Sequence, residues 1–285
     1  MAKDILHTIQ ENMAGFSKGQ KRIAAYILSD YDKAAFMTAS RLGGLVDVSE
    51  STVVRFASML GYNGYPAMQK ALQEMVRSKL TSIQRIRASS DRLFSSDVVA
   101  SVLHSDMNKI RVAIDEVDRA AFSAVVDRLM NARHIYILGV RSSSFLAGYL
   151  YFYLHLIFEN VTLVTSNSAG DILESILRIG PGDVLVGISF PRYSRSTIKG
   201  AQFAHDRGAD VVAVTDSAMS PLYPLASSAL LARSEMISFV DSLVAPFSLL
   251  NALIVAAGHR KDKDIAQIFD RLEGIWDEYG VFDEP

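Results

Sequence analysis

The sequence predicts two folds in series: an all-α helix-turn-helix domain, then an α/β domain built on a doubly wound parallel sheet of Rossmann type. Three observations carry this prediction. Over the first 80 residues apolar side chains recur at helical spacing. Between Arg77 and Asp97 the chain reads "RSKLTSIQRIRASSDRLFSSD", a serine-rich stretch of low apolar density that suits a linker. Beyond residue 130, short apolar runs rich in Val and Ile alternate with longer helical patterns, as in a parallel sheet covered on both faces. The expected organisation is a helix-turn-helix domain over 1–80, a linker over 81–97, connecting helices over 98–130, the α/β domain over 131–260 and a C-terminal helix over 261–285.

Taken in order, residues 3–13 and 18–30 are amphipathic helices, with Ile5, Leu6 and Ile9 in the first and Ile23, Ala24, Ile27 and Leu28 in the second; Ser17 is the N-cap of the second. Thr38–Val46 forms a short helix despite Gly43 and Gly44, each of which costs about 1 kcal/mol relative to Ala in a helix interior. Paired glycines there imply a close helix contact. A helix over 49–60, the turn "LGYNGYP" and a helix from Ala67 to about Leu80 complete the first domain. Helices over 98–115 and 118–130 lead into strands over 134–140, 161–165, 184–190, 210–216 and 228–233. Helices over 143–158, 169–178, 195–207 and 240–258, with a short turn near 221, alternate with them.

Composition narrows the chemistry. With no cysteine, the chain has no disulfide, zinc–thiolate site or cysteine nucleophile, and a reducing cytoplasm is expected. The apolar runs Phe145–Phe158 and Val244–Gly258 fall short of the roughly 20 residues a membrane span needs. Both read as buried helices. Residues 1–87 hold 12 Lys and Arg against 7 Asp and Glu, a balance of +5, whereas the remainder stands at −7. A basic amino-terminal module that faces nucleic acid accounts for that imbalance, and so does a solvated face with no partner.

The segment "VSESTVVRF", residues 48–56, bears on both accounts. As a helix it places Val53, Phe56, Ala57 and Leu60 on one apolar stripe and leaves Glu50, Ser51, Thr52 and Arg55 on the other face; as a strand it alternates poorly. Ser49 is then the N-cap. A short helix, a tight turn and a second helix that begins with small polar residues form the layout of a helix-turn-helix, whose second helix enters the major groove of double-stranded DNA. Arg55 would pair with a guanine edge or a phosphate, Glu50 and Ser51 would approach bases, and Ser49 and Thr52 suit phosphate oxygens. An ordinary helical hairpin with a solvated face fits the same spacing.

In a parallel α/β sheet, ligands bind in the crevice at the carboxyl ends of the strands. Three loops there are rich in hydroxyls: Ser142, Ser143 and Ser144 after the first strand, Ser189, Arg192, Tyr193, Ser194, Arg195, Ser196 and Thr197 after the third, and Thr215, Asp216, Ser217 and Ser220 after the fourth. Hydroxyls and free amides at helix starts suit a phosphate, and the surrounding hydroxyls suit a sugar. Helix capping alone explains any one such loop. A dinucleotide does not fit, because "GVRSSS" lacks the G-x-G-x-x-G spacing. No cofactor and no metal are expected. None of the six histidines falls in a ligand loop, so binding without turnover is expected rather than isomerisation.

The stretch "VSESTVVRFASMLGYNGYPAMQKAL" resembles the helix-turn-helix of the RpiR family of bacterial transcriptional regulators, with Gly43 where such motifs usually carry alanine. Residues 130–258 resemble the sugar isomerase (SIS) domain, which in that family binds phosphosugars. The family's first loop usually reads Gly-x-Gly-x-Ser; here Gly139 and Ser143 match and Arg141 replaces the second glycine. Its third loop usually reads Ser-x-Ser-Gly-x-Thr; here Ser189 matches, Ser194 stands for the threonine, and Pro191 and Arg192 replace the inner serine and glycine. Two guanidinium groups gained near the crevice, Arg141 and Arg192, suggest an effector more anionic than a sugar monophosphate, or else point outward or into a subunit contact. The resemblance implies a regulator of sugar-metabolism genes, a homodimer or tetramer that binds a two-fold operator under control of a phosphosugar-like effector. The apolar helix "FLAGYLYFYLHLIF" and the helix near 240–258 are the candidates for the subunit contact. A SIS-fold isomerase and a ligand-independent DNA binder are the alternatives.

Overall fold

The computed structural model describes residues 5–79, 97–234 and 240–282, so nearly all of the expected linker over 81–97 lies outside the described residues. The chain divides into two compact units, Met1–Ser90 and Asp91–Pro285.

The first unit is all helical: α1 (Ile5–Asn12), α2 (Lys18–Ser29), α3 (Tyr31–Ala34), α4 (Ala39–Leu45), α5 (Glu50–Met59) and α6 (Tyr65–Lys79). Sequence chemistry sets the starts. Ser17 accepts from the Gln20 amide while the Gln20 side chain accepts from the Ser17 amide, a reciprocal cap that fixes α2 at Lys18. Thr38 and Ser49 cap α4 and α5 in the same way, each accepting from the amide three residues on. The apolar stripes converge on a core of Ile9, Ile23, Ile27, Leu42, Phe56, Met68 and Leu72, all fully buried, with Phe16 edge-on to Phe56 at 5.2 Å. The one-turn helix α3 was not anticipated, because its stability comes from tertiary contacts. The Tyr65 hydroxyl and the Gln69 amide both donate to the Met37 carbonyl at 2.7 Å, and Gln73 donates to that of Ala35 at 2.9 Å. These side chains of α6 satisfy the backbone that α3 leaves open. Burial in this contact pushes the Tyr65 phenol up to about 12.

The second unit contains α7 (Val98–Glu116), α8 (Arg119–Asn131), β1 (His134–Gly139), α9 (Ser143–Ile157), β2 (Val161–Val164), α10 (Ala169–Ser175), β3 (Asp183–Ile188), α11 (Arg195–Asp206), β4 (Asp210–Thr215), β5 (Ser228–Leu231), α12 (Val244–Arg260) and α13 (Asp262–Tyr279). The five strands are parallel in the order β2-β1-β3-β4-β5. Alternate residues of β3 serve opposite faces. Val184, Val186 and Ile188 join a core with α8, α9 and α12, while Leu185 joins the other core with α10 and α11. The two-residue period of a strand thus builds both layers of the doubly wound fold. Expected connecting helix α8 contributes Val125, Val126 and Leu129 to the first of these cores.

At the amino end of the sheet Asp183, 1% exposed, receives a two-pronged hydrogen bond from Arg133 at 2.8 and 2.7 Å and another from the Gly180 amide at 2.9 Å. Burial alone would raise the Asp183 carboxyl, but the guanidinium and the amide outweigh it and hold the group below the usual carboxylate value. This pair ties the start of β3 to the residue that precedes β1.

Two boundaries move for identifiable reasons. The helix expected from 240 begins at Val244, because the Ser242 hydroxyl donates to Asp106 of α7 at 2.6 Å and Asp106 also receives buried Lys109 at 3.4 Å. Pro246 then sits in the first turn, where its missing amide is harmless. The C-terminal helix expected over 261–285 stops at Tyr279, where Gly280 adopts φ 59° and ends it in a left-handed cap. Residues 283–285 lie outside the described residues.

Candidate functional site

The helix pair α4–α5 is joined by Val46–Ser49, with Asp47 at φ 54° and the Val48 amide donating to the Gly43 carbonyl at 2.9 Å. Gly43 is buried, and a Cβ there would stand 2.8 Å from the Val48 carbonyl oxygen. The alanine that related motifs carry would therefore not fit this turn without a shift, so Gly43 is more than a small residue of low helix propensity. Arg22 of α2 pairs with Asp47 at 2.9 Å across the turn.

Of the expected stripe on α5, Val53, Phe56 and Ala57 are fully buried, whereas Leu60, at the C-cap, is half-buried. Glu50, Ser51 and Arg55 are exposed on the opposite face, where Val54 and Ser58, not singled out from sequence, extend the same surface. Arg55 is steadied by donation from Nε to the Ser51 carbonyl at 3.3 Å. Ser49 and Thr52 stand differently. The Ser49 hydroxyl lies 2.8 Å from that of Thr52 and accepts from the Thr52 amide at 3.3 Å, so both hydroxyls serve the cap. Thr52 is half-buried beside Gly19, at the start of α2, and a Cβ on Gly19 would lie 3.7 Å from its methyl. The exposed Lys18 of α2 is thereby next to the start of α5, a cation that the α5 periodicity could not reveal.

In the second unit the strand order reverses between β1 and β3, the position at which doubly wound sheets open a crevice. The last registered pair of these strands is Gly139 and Ile188, so their loops leave side by side. Gly139 permits this: a Cβ would stand 2.6 Å from the Ser143 carbonyl oxygen of α9. In the first loop Arg141 has φ 56°, and its carbonyl accepts from both the amide and the hydroxyl of Ser144 at 3.0 and 2.6 Å. Ser142 is exposed and makes no cap, whereas Ser143 is buried.

The loop after β3 links to its neighbours. The Ser189 hydroxyl accepts from the Ser194 amide at 3.3 Å, and Ser194 caps α11. Tyr193 donates to Asp216 of the β4 loop at 2.8 Å, and Ser196 donates to the Asn167 carbonyl of the β2 loop at 3.2 Å. Thr215 donates to the Ser189 carbonyl at 2.7 Å. The third loop is thus connected to the fourth and to the second, which the sequence had not implicated. Thr197, in the first turn of α11, is fully buried, and its hydroxyl has no hydrogen-bond partner among the described residues. Arg192 has φ 70°. The left-handed region costs a residue with a Cβ about 1–2 kcal/mol, so Arg141 and Arg192 stand where glycine is the relaxed choice. A cavity of about 310 Å³ elsewhere, along the outer edge of β5, is lined by Glu116, which pairs with Arg233, and by Asp118, which caps α8.

Residues 3–79 match the helix-turn-helix domain of the rpiR family, and residues 128–256 match the SIS domain. The chain belongs to the RpiR family of transcriptional regulators. Across nearly its full length this RpiR-type regulator is similar to an uncharacterised HTH-type transcriptional regulator of Caldanaerobacter subterraneus, 23% identical over 95% of this chain and 96% of the relative. It is 27% identical to the HTH-type transcriptional regulator HexR of Pseudomonas aeruginosa, over 77% of this chain and 75% of the relative. Among solved structures, the Vibrio vulnificus NanR protein complexed with ManNAc-6P shares the fold over 98% of this chain and 100% of NanR, with 23% identity and a TM-score of 0.61. The sugar isomerase domain of an RpiR transcription factor from Sphaerobacter thermophilus covers 62% of this chain and 99% of its own length, with 22% identity and a TM-score of 0.60. Among the described residues no helix is long and apolar enough to cross a membrane.

Proposed function

We propose that this RpiR-type regulator reads a double-stranded operator with α5 and responds to a phosphosugar-like effector held at the β1–β3 crevice. The observation that carries the DNA half is the division of α5 into a buried face of Val53, Phe56 and Ala57 and an open face of Glu50, Ser51, Val54 and Arg55. A helix so anchored presents its first turns to a major groove as a rigid unit. Arg55 contacts a guanine edge or a phosphate, Glu50 and Ser51 approach bases, and Ser49 and Thr52 fix the helix start against the backbone. On the effector side, Ser142, Ser143, Ser144, Ser189, Ser194 and Ser196 supply hydroxyls and amides to the phosphate, with Arg141, Arg192 and Tyr193 around it. The effector acts by preferring one arrangement of paired DNA-binding units. The protein binds the sugar without turning it over and works in the cytoplasm.

Such control needs a homodimer or tetramer. The exposed Phe145 (73%) and Phe152 (58%) of α9 and Val255 (67%) of α12 supply an apolar contact, and Tyr149 joins the two helices by donating to Asn251 at 2.8 Å.

Gel retardation with the DNA upstream of the protein's own gene tests the reading. A retarded complex that Arg55→Ala abolishes is expected; no retardation, or retardation indifferent to Arg55, overturns it. Sedimentation of the full chain as a monomer at micromolar concentration would overturn the oligomer.

A further inference from the structure

We infer that α7 packs antiparallel against α7 of a second copy of this chain, along a stripe of Val99, Leu103, Met107, Ile110 and Ile114. Helix α7 is amphipathic in the reverse sense. A helix on a folded domain turns its apolar stripe toward the core, yet Val99, Leu103, Met107 and Ile114 are each 61–67% exposed. The face that meets the domain is polar instead. Lys109, 3% exposed, donates to the Ser105 hydroxyl at 2.6 Å and reaches Asp106 at 3.4 Å, and Asp106 also receives the Ser242 hydroxyl at 2.6 Å. A buried ammonium is costly wherever such partners are missing. This network therefore fixes the rotation of α7 about its own axis and holds the apolar stripe outward.

Spacing, area and rim charge identify the occupant as a second copy. Reversed about Met107, the stripe falls on itself: Val99 on Ile114, Leu103 on Ile110 and Met107 on Met107. Two copies related by a two-fold axis at Met107 therefore set apolar side chains against apolar side chains along about 22 Å of helix. The four exposed side chains offer on the order of 500 Å² per chain, so the pair buries about 1,000 Å², the size that a specific contact needs. On one rim the exposed Arg111 falls opposite the partner's His104. His104 Nδ1 donates to the Ala100 carbonyl at 2.7 Å, which leaves Nε2 as the acceptor for that guanidinium. On the other rim Asp106 is already engaged by Lys109 and Ser242 and adds no free charge. The pairing deepens the oligomer reading above and uses none of the residues of the α9–α12 contact.

The chain has no cysteine, so Met107→Cys gives it a single thiol. Oxidation of the purified full chain with copper–phenanthroline at micromolar concentration should convert most of this variant into a disulfide-linked dimer on a non-reducing gel. Asn108→Cys, exposed one residue on and about 100° around the helix, should cross-link at least ten-fold more slowly. An equimolar mixture of Val99→Cys and Ile114→Cys chains, one carrying a size tag, should give the mixed dimer in excess of either homodimer. Leu103→Glu should weaken self-association at least ten-fold in sedimentation equilibrium without unfolding the chain, since that side chain is exposed in the single copy. Equal rates for Met107→Cys and Asn108→Cys overturn the pairing, as when a different protein covers the stripe. A mixture that yields only homodimers, or a Leu103→Glu chain that associates as before, also overturns it. Each of these results leaves the α9–α12 contact standing, whereas a parent chain that sediments as a monomer overturns both contacts together.

Discussion

The Cβ that Gly43 lacks would stand 2.8 Å from the carbonyl oxygen of Val48 and 3.5 Å from the amide nitrogen of Glu50. Helix α4 therefore meets the turn and the start of α5 through bare backbone. Gly43→Ala should destabilise the first unit by about 1–3 kcal/mol, since the displaced atoms belong to backbone rather than to a flexible side chain. Its neighbour Gly44 is exposed, and a methyl added there would have nothing within 4 Å, so Gly44→Ala should stabilise by up to about 1 kcal/mol. Urea unfolding of the two variants gives opposite shifts in midpoint; shifts of the same sign would contradict the contact.

Cap and contact separate on α5. Ser49→Ala removes the hydroxyl that accepts from the Thr52 amide and should cost about 1 kcal/mol of stability. Arg55→Ala alters an exposed side chain and should change stability by no more than about 0.5 kcal/mol. Thermal unfolding combined with gel retardation checks both. Arg55→Ala should lose DNA at unchanged melting temperature, whereas Ser49→Ala should lower the melting temperature first.

Asp183 gives the second unit an acid-sensitive link. Its carboxyl is held below the usual value of 3.8, so its contribution is complete above that pH and fades as the pH falls through the lowered value. Asp183→Asn should cost about 1–3 kcal/mol at pH 7, the Arg133 partner being largely solvated. The difference between variant and parent should shrink below about pH 4. A difference independent of pH would show that the charge is not what matters.

Tyr65 sets the alkaline limit of the first unit. Its phenol is raised from 10.0 to about 12, so the native state keeps the proton that the unfolded chain gives up. The stabilisation is full below pH 10 and is lost as the pH rises from 10 to about 12, by up to about 2 kcal/mol. Tyr65→Phe should cost about 1 kcal/mol at pH 7, where the bond to Met37 is lost. That deficit should vanish or reverse above about pH 11 in chemical denaturation.

Local chemistry carried much of this protein in its sequence. Stripes at helical spacing, the caps Ser17, Thr38 and Ser49, and apolar runs of strand length depend only on near neighbours along the chain, so α1, α2, α4, α5 and all five strands were legible. The departures Arg141 and Arg192 were visible as substitutions for glycine. Tertiary structure decided what those residues mean. Only packing shows that Thr52 turns toward Gly19 and that Gly43 abuts the Val48 carbonyl. It alone shows that Tyr65, Gln69 and Gln73 sustain a one-turn helix, and that Thr197 is buried without a partner among the described residues. Each is a relation between groups distant in sequence or a backbone angle imposed from outside, and no periodicity records either.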